Sequence, residues 1–181
     1  MSSLVTGSIE GVEVLEIEPH ADDRGALYEI YRRAWVPAAE EAIQANLSES
    51  KPGVLRGLHW HRRQRDYWCF LRGGVFAALV DLREGSPTRL AVMTFALDTD
   101  ERPFATSIPP GVAHGFEARS SALLLYLVDA YYTGDDEFGL AWDDPNLAIA
   151  WPNGEPLLSE RDRSNPSLTE VLRDPPRYPS G

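Results

Sequence analysis

Lysine is almost missing from this chain: Lys51 is the only one, so the other 16 of its 17 basic residues are arginines. Any step that needs an ammonium group has a single position to draw on. Cysteine is equally scarce. The lone Cys69 excludes an internal disulfide, and its place in the apolar run Tyr67–Leu71 reads as a buried, inert thiol. The longest apolar run, Ala122–Val128, has seven residues, far below the roughly 20 that a membrane-spanning helix requires, so no membrane partner is expected. The first twenty residues lack the basic start and apolar stretch of a secretory signal and carry Glu10, Glu13, Glu16 and Glu18 instead, so the expected location is cytoplasmic. Positive charge is also short overall, and a net charge of −11 argues against a nucleic-acid partner.

What is present suits a folded globular chain. With 181 residues, 43% hydrophobic and 25% charged, the chain can bury a continuous core, and the expectation is one domain over 1–181 with a loose tail from about 175 to 181. Short strand-like runs dominate, each bounded by Gly, Pro or Asp: Val12–Ile17, Ala26–Tyr31, Val54–His61, Tyr67–Leu71, Val75–Leu82, Leu90–Leu97, Thr106–Ile108, Ala113–Ala118 and Ala122–Tyr132. Such a set predicts an all-β sandwich or barrel. The run VFAALVDL at 75–82 is apolar almost throughout, as in a strand covered on both faces. Helix is expected only as an accessory, over Pro37–Ala45 and over Ser167–Arg173, where Ser167 can cap the first turn with Glu170 three residues on.

Three of the four histidines sit in two short glycine-bounded segments. His59 and His61 in RGLHWH are two apart, which on a strand turns both imidazoles to one face and Trp60 to the other. His114 follows a proline-glycine turn in IPPGVAHGF, whereas His20 stands among Ala21, Asp22 and Asp23 in a solvent-facing position. Arg56, Arg62, Arg63, Arg65 and Arg72 fall within seventeen residues, opposed there only by Asp66, and could grip a phosphate.

Several segments together resemble the dTDP-4-dehydrorhamnose 3,5-epimerases: DDRGALYE at 22–29, QANLSESKPGVLRGLH at 44–59, VDLREGSPT at 80–88, IPPGVAHGF at 108–116, LYLVDAYY at 125–132, WDDPNLAIAWP at 142–152 and LSERD at 158–162. The resemblance implies a cupin-type β-barrel, the double-stranded β-helix or jelly roll, and a homodimer acting on a dTDP-linked 4-keto-6-deoxyhexose without a cofactor. It also implies that His59 removes the proton beside the ketone, that Asp162 is its charge partner, and that Tyr126 donates a proton to the opposite face of the ring. Arg24, Glu29, Gln44, Asn46, Arg56, His114 and Tyr132 would surround the nucleotide and sugar, with Arg24 reaching the neighbouring subunit's site. The pattern breaks at Asp66, which stands where the family carries a lysine that steadies the enolate oxygen.

Two other readings come from the same residues. His59, His61, Asp66 and His114 have the spacing of the general cupin metal motif, which would make the chain a metal-dependent isomerase, lyase or oxygenase with one divalent ion. A sugar-nucleotide binding protein without catalysis would follow if loss of the lysine abolished turnover.

Overall fold

The computed structural model describes residues 4–36, 41–98 and 103–178. Its strands in chain order are β1 (Leu4–Thr6), β2 (Glu13–Glu16), β3 (Pro19–Asp22), β4 (Gly25–Tyr28), β5 (Gln44–Ser50), β6 (Leu55–Trp60), β7 (Asp66–Arg72), β8 (Gly74–Asp81), β9 (Val92–Asp98), β10 (Phe104–Ile108), β11 (Val112–Ala118), β12 (Ala122–Val128) and β13 (Phe138–Gly139). They form a six-stranded sheet in the order β1-β9-β8-β11-β6-β13 and a five-stranded sheet in the order β2-β10-β7-β12-β5, with β3 and β4 apart as a two-stranded hairpin. From β5 onward the chain alternates between the two large sheets except at the β8–β9 pair, so their inner faces share one core built on Phe70, Leu79, Phe95, Phe116 and Leu124. This is the expected all-β architecture.

β8 shows why VFAALVDL is apolar on both faces. Leu79 faces the core between the sheets, while Val80 packs with Leu58, Leu140, Leu147, Leu168 and Val171 on the other side. The C-terminal segment therefore seals the outer face of the six-stranded sheet. Its two short helices start on serine caps: α1 (Glu160–Arg163) on Ser159, and α2 (Leu168–Val171) on Ser167, with the reciprocal Ser167–Glu170 capping box that the sequence predicts.

One expectation needs correction. Within the stretch predicted helical, residues 37–40 lie outside the described residues, but Gln44 and Ala45 open strand β5, which the sequence reading missed. The strand is half-buried and exposed by turns, with Gln44, Asn46 and Ser48 facing inward and Leu47 64% exposed. Polar residues thus take the side on which a pattern search seeks apolar ones. Of the tail expected to be loose from about 175 to 181, residues 179–181 lie outside the described residues; before them, Glu84 N donates to Pro176 O at 2.7 Å, Tyr178 N donates to Glu84 O at 2.9 Å, and Arg83 stacks over the Tyr178 ring.

Two glycines set the depth of the site. Gly57 on β6 has φ +123°, and a Cβ there would lie 2.7 Å from Gly115 Cα and 2.8 Å from His114 O on β11. Only glycine permits this approach of two backbones. It brings His59 of RGLH directly opposite His114 of AHGF in the antiparallel register.

Candidate active site

Between the inner faces of the two sheets opens a cavity of about 430 Å³, lined by residues that include Arg56, His59 and His114 from the six-stranded sheet, His61 just past the end of β6, and Gln44, Asn46 and Tyr126 from the five-stranded sheet. His59 and Tyr126 therefore approach the same space from different sheets.

His59 is bound to a buried carboxylate: its Nε2 lies 2.6 Å from Asp162 Oδ1, and Asp162 is 5% exposed. Helix α1 fixes that carboxylate, because Asp162 N donates to the capping Ser159 Oγ at 3.0 Å. Burial pushes the Asp162 carboxyl up, but the bonds to His59 and Ser159 and the nearby imidazole outweigh it and hold the group below its ordinary value. Asp162 is thus an anion facing Nε2, which carries the hydrogen and donates it. The Nδ1 of His59 lies 4.0 Å from Glu137 Oε1.

Tyr126 stands on β12, paired with Asn46 of β5 and Trp68 of β7. Burial, then the charges of Asp66 and Glu137, raise its phenol above the ordinary value. The group therefore holds its proton. Gln44 Nε2 donates to Asn46 Oδ1 at 2.9 Å, and Tyr132 N donates to Gln44 Oε1 at 3.4 Å, which joins three of the expected binding residues into one run along β5. Arg56 is held by Ser50 Oγ at 2.9 Å and Glu49 O at 3.2 Å.

Arg24 and Glu29 are not brought to this cavity. Arg24 extends from the exposed β3–β4 hairpin and pairs with Asp22, and Glu29 pairs with Arg32 and, at 3.9 Å, with His20. The arginine cluster also disperses. Arg62 binds Asp174, Arg63 binds Asp135 at the surface, Arg65 donates its backbone N–H to Asp129, and Arg72 lies 3.9 Å from Glu49, so Arg56 alone of the five lines the cavity. Cys69 is buried, and burial pushes its thiol up to about 12, as suits an inert side chain.

The four residues of the metal alternative separate into two groups. His61, Asp66 and His114 converge with their ligand atoms within 4.8 Å of one another, while His59 is held by Asp162 and lies outside that group. The cause is local: Asp66, 3% exposed at the start of β7, lies 2.9 Å from His114 Nε2 and 3.6 Å from His61 Nε2. Burial pushes the Asp66 carboxyl up, but the bond to His114, the nearby imidazoles and Gln64 bring it below its ordinary value. Burial likewise lowers His61, against the pull of Asp66, and favours the neutral ring.

Two lining residues escaped the sequence reading. Glu137 faces His59 Nδ1 and is bound to Arg161 at 2.5 Å, and Gln64 donates to Asp66 Oδ1 at 2.8 Å. Both lie in loops, where no periodicity signals a facing direction.

Comparison with known proteins adds an independent line. The family model described as dTDP-4-dehydrorhamnose 3,5-epimerase matches residues 6–170. A dTDP-4-dehydrorhamnose 3,5-epimerase of Streptomyces griseus is 37% identical over 175 residues, covering 92% of this chain and 86% of the relative. A dTDP-4-dehydrorhamnose 3-epimerase of Streptomyces niveus is 41% identical over 174 residues, covering 90% and 82%. Among solved structures, a 4-keto-6-deoxy sugar epimerase from the novobiocin gene cluster of Streptomyces spheroides superposes with a TM-score of 0.86 at 38% identity, covering 97% of this chain and 94% of that one. A 3'-monoepimerase from Streptomyces bikiniensis, solved with dTDP-quinovose, gives a TM-score of 0.84 at 34% identity, covering 92% and 88%.

Proposed function

The chain belongs to the dTDP-4-dehydrorhamnose 3,5-epimerase family, an enzyme of the isomerase class on a cupin-type jelly roll, and from that premise we propose how its cavity works. Its substrate is a dTDP-linked 4-keto-6-deoxyhexose. The ketone acidifies the hydrogens on the two adjoining carbons, so epimerisation needs a base on one face of the ring and an acid on the other. His59 is the base. Asp162 accepts the Nε2 hydrogen at 2.6 Å, holds the ring in one tautomer and stabilises the imidazolium that forms, leaving Nδ1 to take the proton. This contact, inside a cavity that Tyr126 enters from the other sheet, is the observation that carries the reading.

Tyr126 returns a proton to the opposite face, and its raised phenol keeps that proton available across the working pH range. Neither transfer calls for a cofactor, since the activating carbonyl arrives with the substrate. Arg56 is the guanidinium placed to meet the diphosphate, and Gln44, Asn46, His114 and Tyr132 position the nucleotide and sugar. Arg24, exposed at the β3–β4 turn, and Glu29, half-buried just after β4, do not line the cavity of their own chain and fit a role in the cavity of a second copy, so the working unit is a homodimer. Among the described residues no helix is long and apolar enough to cross a membrane.

Incubation with dTDP-4-keto-6-deoxyglucose in deuterated water tests the reading. Deuterium is expected at C3, at C5 or at both. Tight binding of the nucleotide sugar with label at neither carbon would replace it with the non-catalytic binding protein.

A further inference from the structure

Residues 61–65 lie between β6 and β7, where no sheet ladder serves their backbone, and the N–H groups of residues 62–65 all donate to carboxylates of one other segment, the loop between β12 and β13. Asp136 accepts three of them: Arg62 N at 3.0 Å on Oδ1, then Arg63 N at 3.0 Å and Gln64 N at 3.2 Å on Oδ2. Asp129, at the start of the same loop, accepts the fourth from Arg65 at 2.8 Å. Successive N–H groups turned on one anion form a nest, and each such charge-assisted bond is about twice as strong as a neutral one.

Asp136 is held through its backbone as well. His61 Nδ1 lies 2.6 Å from Asp136 O, and since a carbonyl only accepts, Nδ1 carries the hydrogen. Burial favours the neutral ring, so its Nε2 is an acceptor, which the Gln64 amide meets at 3.3 Å while donating to Asp66 Oδ1 at 2.8 Å. Asp66 Oδ2 in turn meets His114 Nε2 at 2.9 Å. A continuous chain of bonds therefore ties the loop to β11, and His61, which neither proton transfer uses, is its first link. Glu137 comes next in the loop. Its carbonyl accepts from Arg161 at 3.2 Å, and Phe138 beyond it pairs with Trp60 on β6. With Asp136 fixed on one side and β13 on the other, Glu137 Oε1 is held 4.0 Å from His59 Nδ1.

We propose that Asp136 is a positioning residue for epimerisation: seated on the N–H groups of residues 62–64 and tied by His61, it holds the Glu137 carboxylate beside the His59 nitrogen that takes the proton. The inference rests on His59 being the base. Asp136 does not line the cavity, so it acts through its neighbour. An anion fixed at that nitrogen stabilises the imidazolium as the proton arrives, and the attraction weakens with distance and with entry of water. Misplacement by about 1 Å can cost roughly 10²-fold in rate.

The test measures deuterium exchange at saturating dTDP-4-keto-6-deoxyglucose, dTDP binding by calorimetry and denaturant unfolding of the full-length protein and its variants. Asp136→Ala should lower the saturated exchange rate by roughly 10- to 100-fold, with dTDP affinity unchanged. Asp136→Asn, whose carbonyl oxygen can still accept from Arg63 and Gln64, should keep most of the rate. A purely structural role would lower the unfolding midpoint and leave the rate of the folded protein alone. Because Asp136 acts through Glu137, Asp136→Ala should cost little further in a chain that already carries Glu137→Ala. If Asp136→Ala does not fold, His61→Ala, which removes the tie to the Asp136 carbonyl, takes its place in the same comparison. A saturated rate unchanged by Asp136→Ala or by Glu137→Ala, or losses that multiply in the double variant, would overturn the proposal alone. Exchange that is absent from the unmutated protein, or that survives in His59→Asn, would overturn the base assignment and the proposal with it.

Discussion

His59 and His114 stand directly opposite each other across β6 and β11, yet they answer to different carboxylates: His59 to Asp162 on helix α1, His114 to Asp66 at the start of β7. The cavity therefore holds two separate histidine–carboxylate units within one patch of sheet, and substitutions can address them one at a time.

Replacing His59 by Asn should remove deuterium exchange almost completely, by roughly 10² to 10⁴-fold, while thermal stability and dTDP affinity change little. The base is needed for chemistry, and its side chain is 23% exposed, so its loss leaves no core cavity. Wash-in followed by NMR, with calorimetry for dTDP, checks both halves. Retention of a tenth of the exchange rate would reject His59 as the base.

Tyr126→Phe should slow inversion far more than deuterium wash-in, because removal and return of a proton on one face need only the base. The phenol supplies a second readout. Its folded value is raised above 10.0, so any stability it contributes is complete below that pH and is lost as pH climbs through the folded value. A spectrophotometric titration of the unmutated protein minus the variant should find Tyr126 still mostly protonated at pH 10.0. Equal loss of inversion and wash-in would argue against the assigned acid.

For Arg56→Ala the expectation is a dTDP affinity weakened by about 10- to 100-fold, the scale of a lost hydrogen bond to a charged group, with exchange at saturating substrate reduced much less. An unchanged Kd, measured by calorimetry, would move the diphosphate elsewhere.

Asp66→Lys puts at this position the cation that the family resemblance calls for and removes the only carboxylate between His61 and His114. It should keep or raise deuterium exchange. Loss of exchange in a protein that circular dichroism shows to be folded would mean that Asp66 itself serves the reaction.

At Gly57 any side chain is opposed twice, by φ +123° and by Gly115 Cα 2.7 Å from the added Cβ. Gly57→Ala should cost on the order of 1–3 kcal/mol of stability and should also impair exchange, since β6 carries His59. Denaturant unfolding with an unchanged midpoint would contradict the close approach.

How far the sequence could be read depended on which face a residue had to occupy. β8 was legible because burial on both sides demands a continuous apolar run, and the Ser167–Glu170 cap was legible because it is local. β5 was not, since its inward positions Gln44, Asn46 and Ser48 serve a polar cavity. Glu137 was hidden for a related reason: it reaches His59 from a loop, and nothing in its neighbours' spacing reveals a direction. The arginine-rich stretch from Arg56 to Arg72 suggested one patch, but the turn between β6 and β7 sends Arg62 and Arg63 outward to Asp174 and Asp135. The four-residue metal set was separated by a partner 103 residues away, Asp162, which no local pattern could assign to His59.

β5 lies at the edge of its sheet and turns amide and hydroxyl groups toward the cavity, so exchanging one of them for another removes little apolar surface from water. Positions 44, 46 and 48 are therefore where the chain can take up a differently substituted sugar with little penalty in folding. The same freedom is denied to β6 and β11, whose glycines leave no slack. Divergence of substrate preference from this scaffold should run along one strand while His59 stays fixed on the wall opposite and Tyr126 on the neighbouring strand β12.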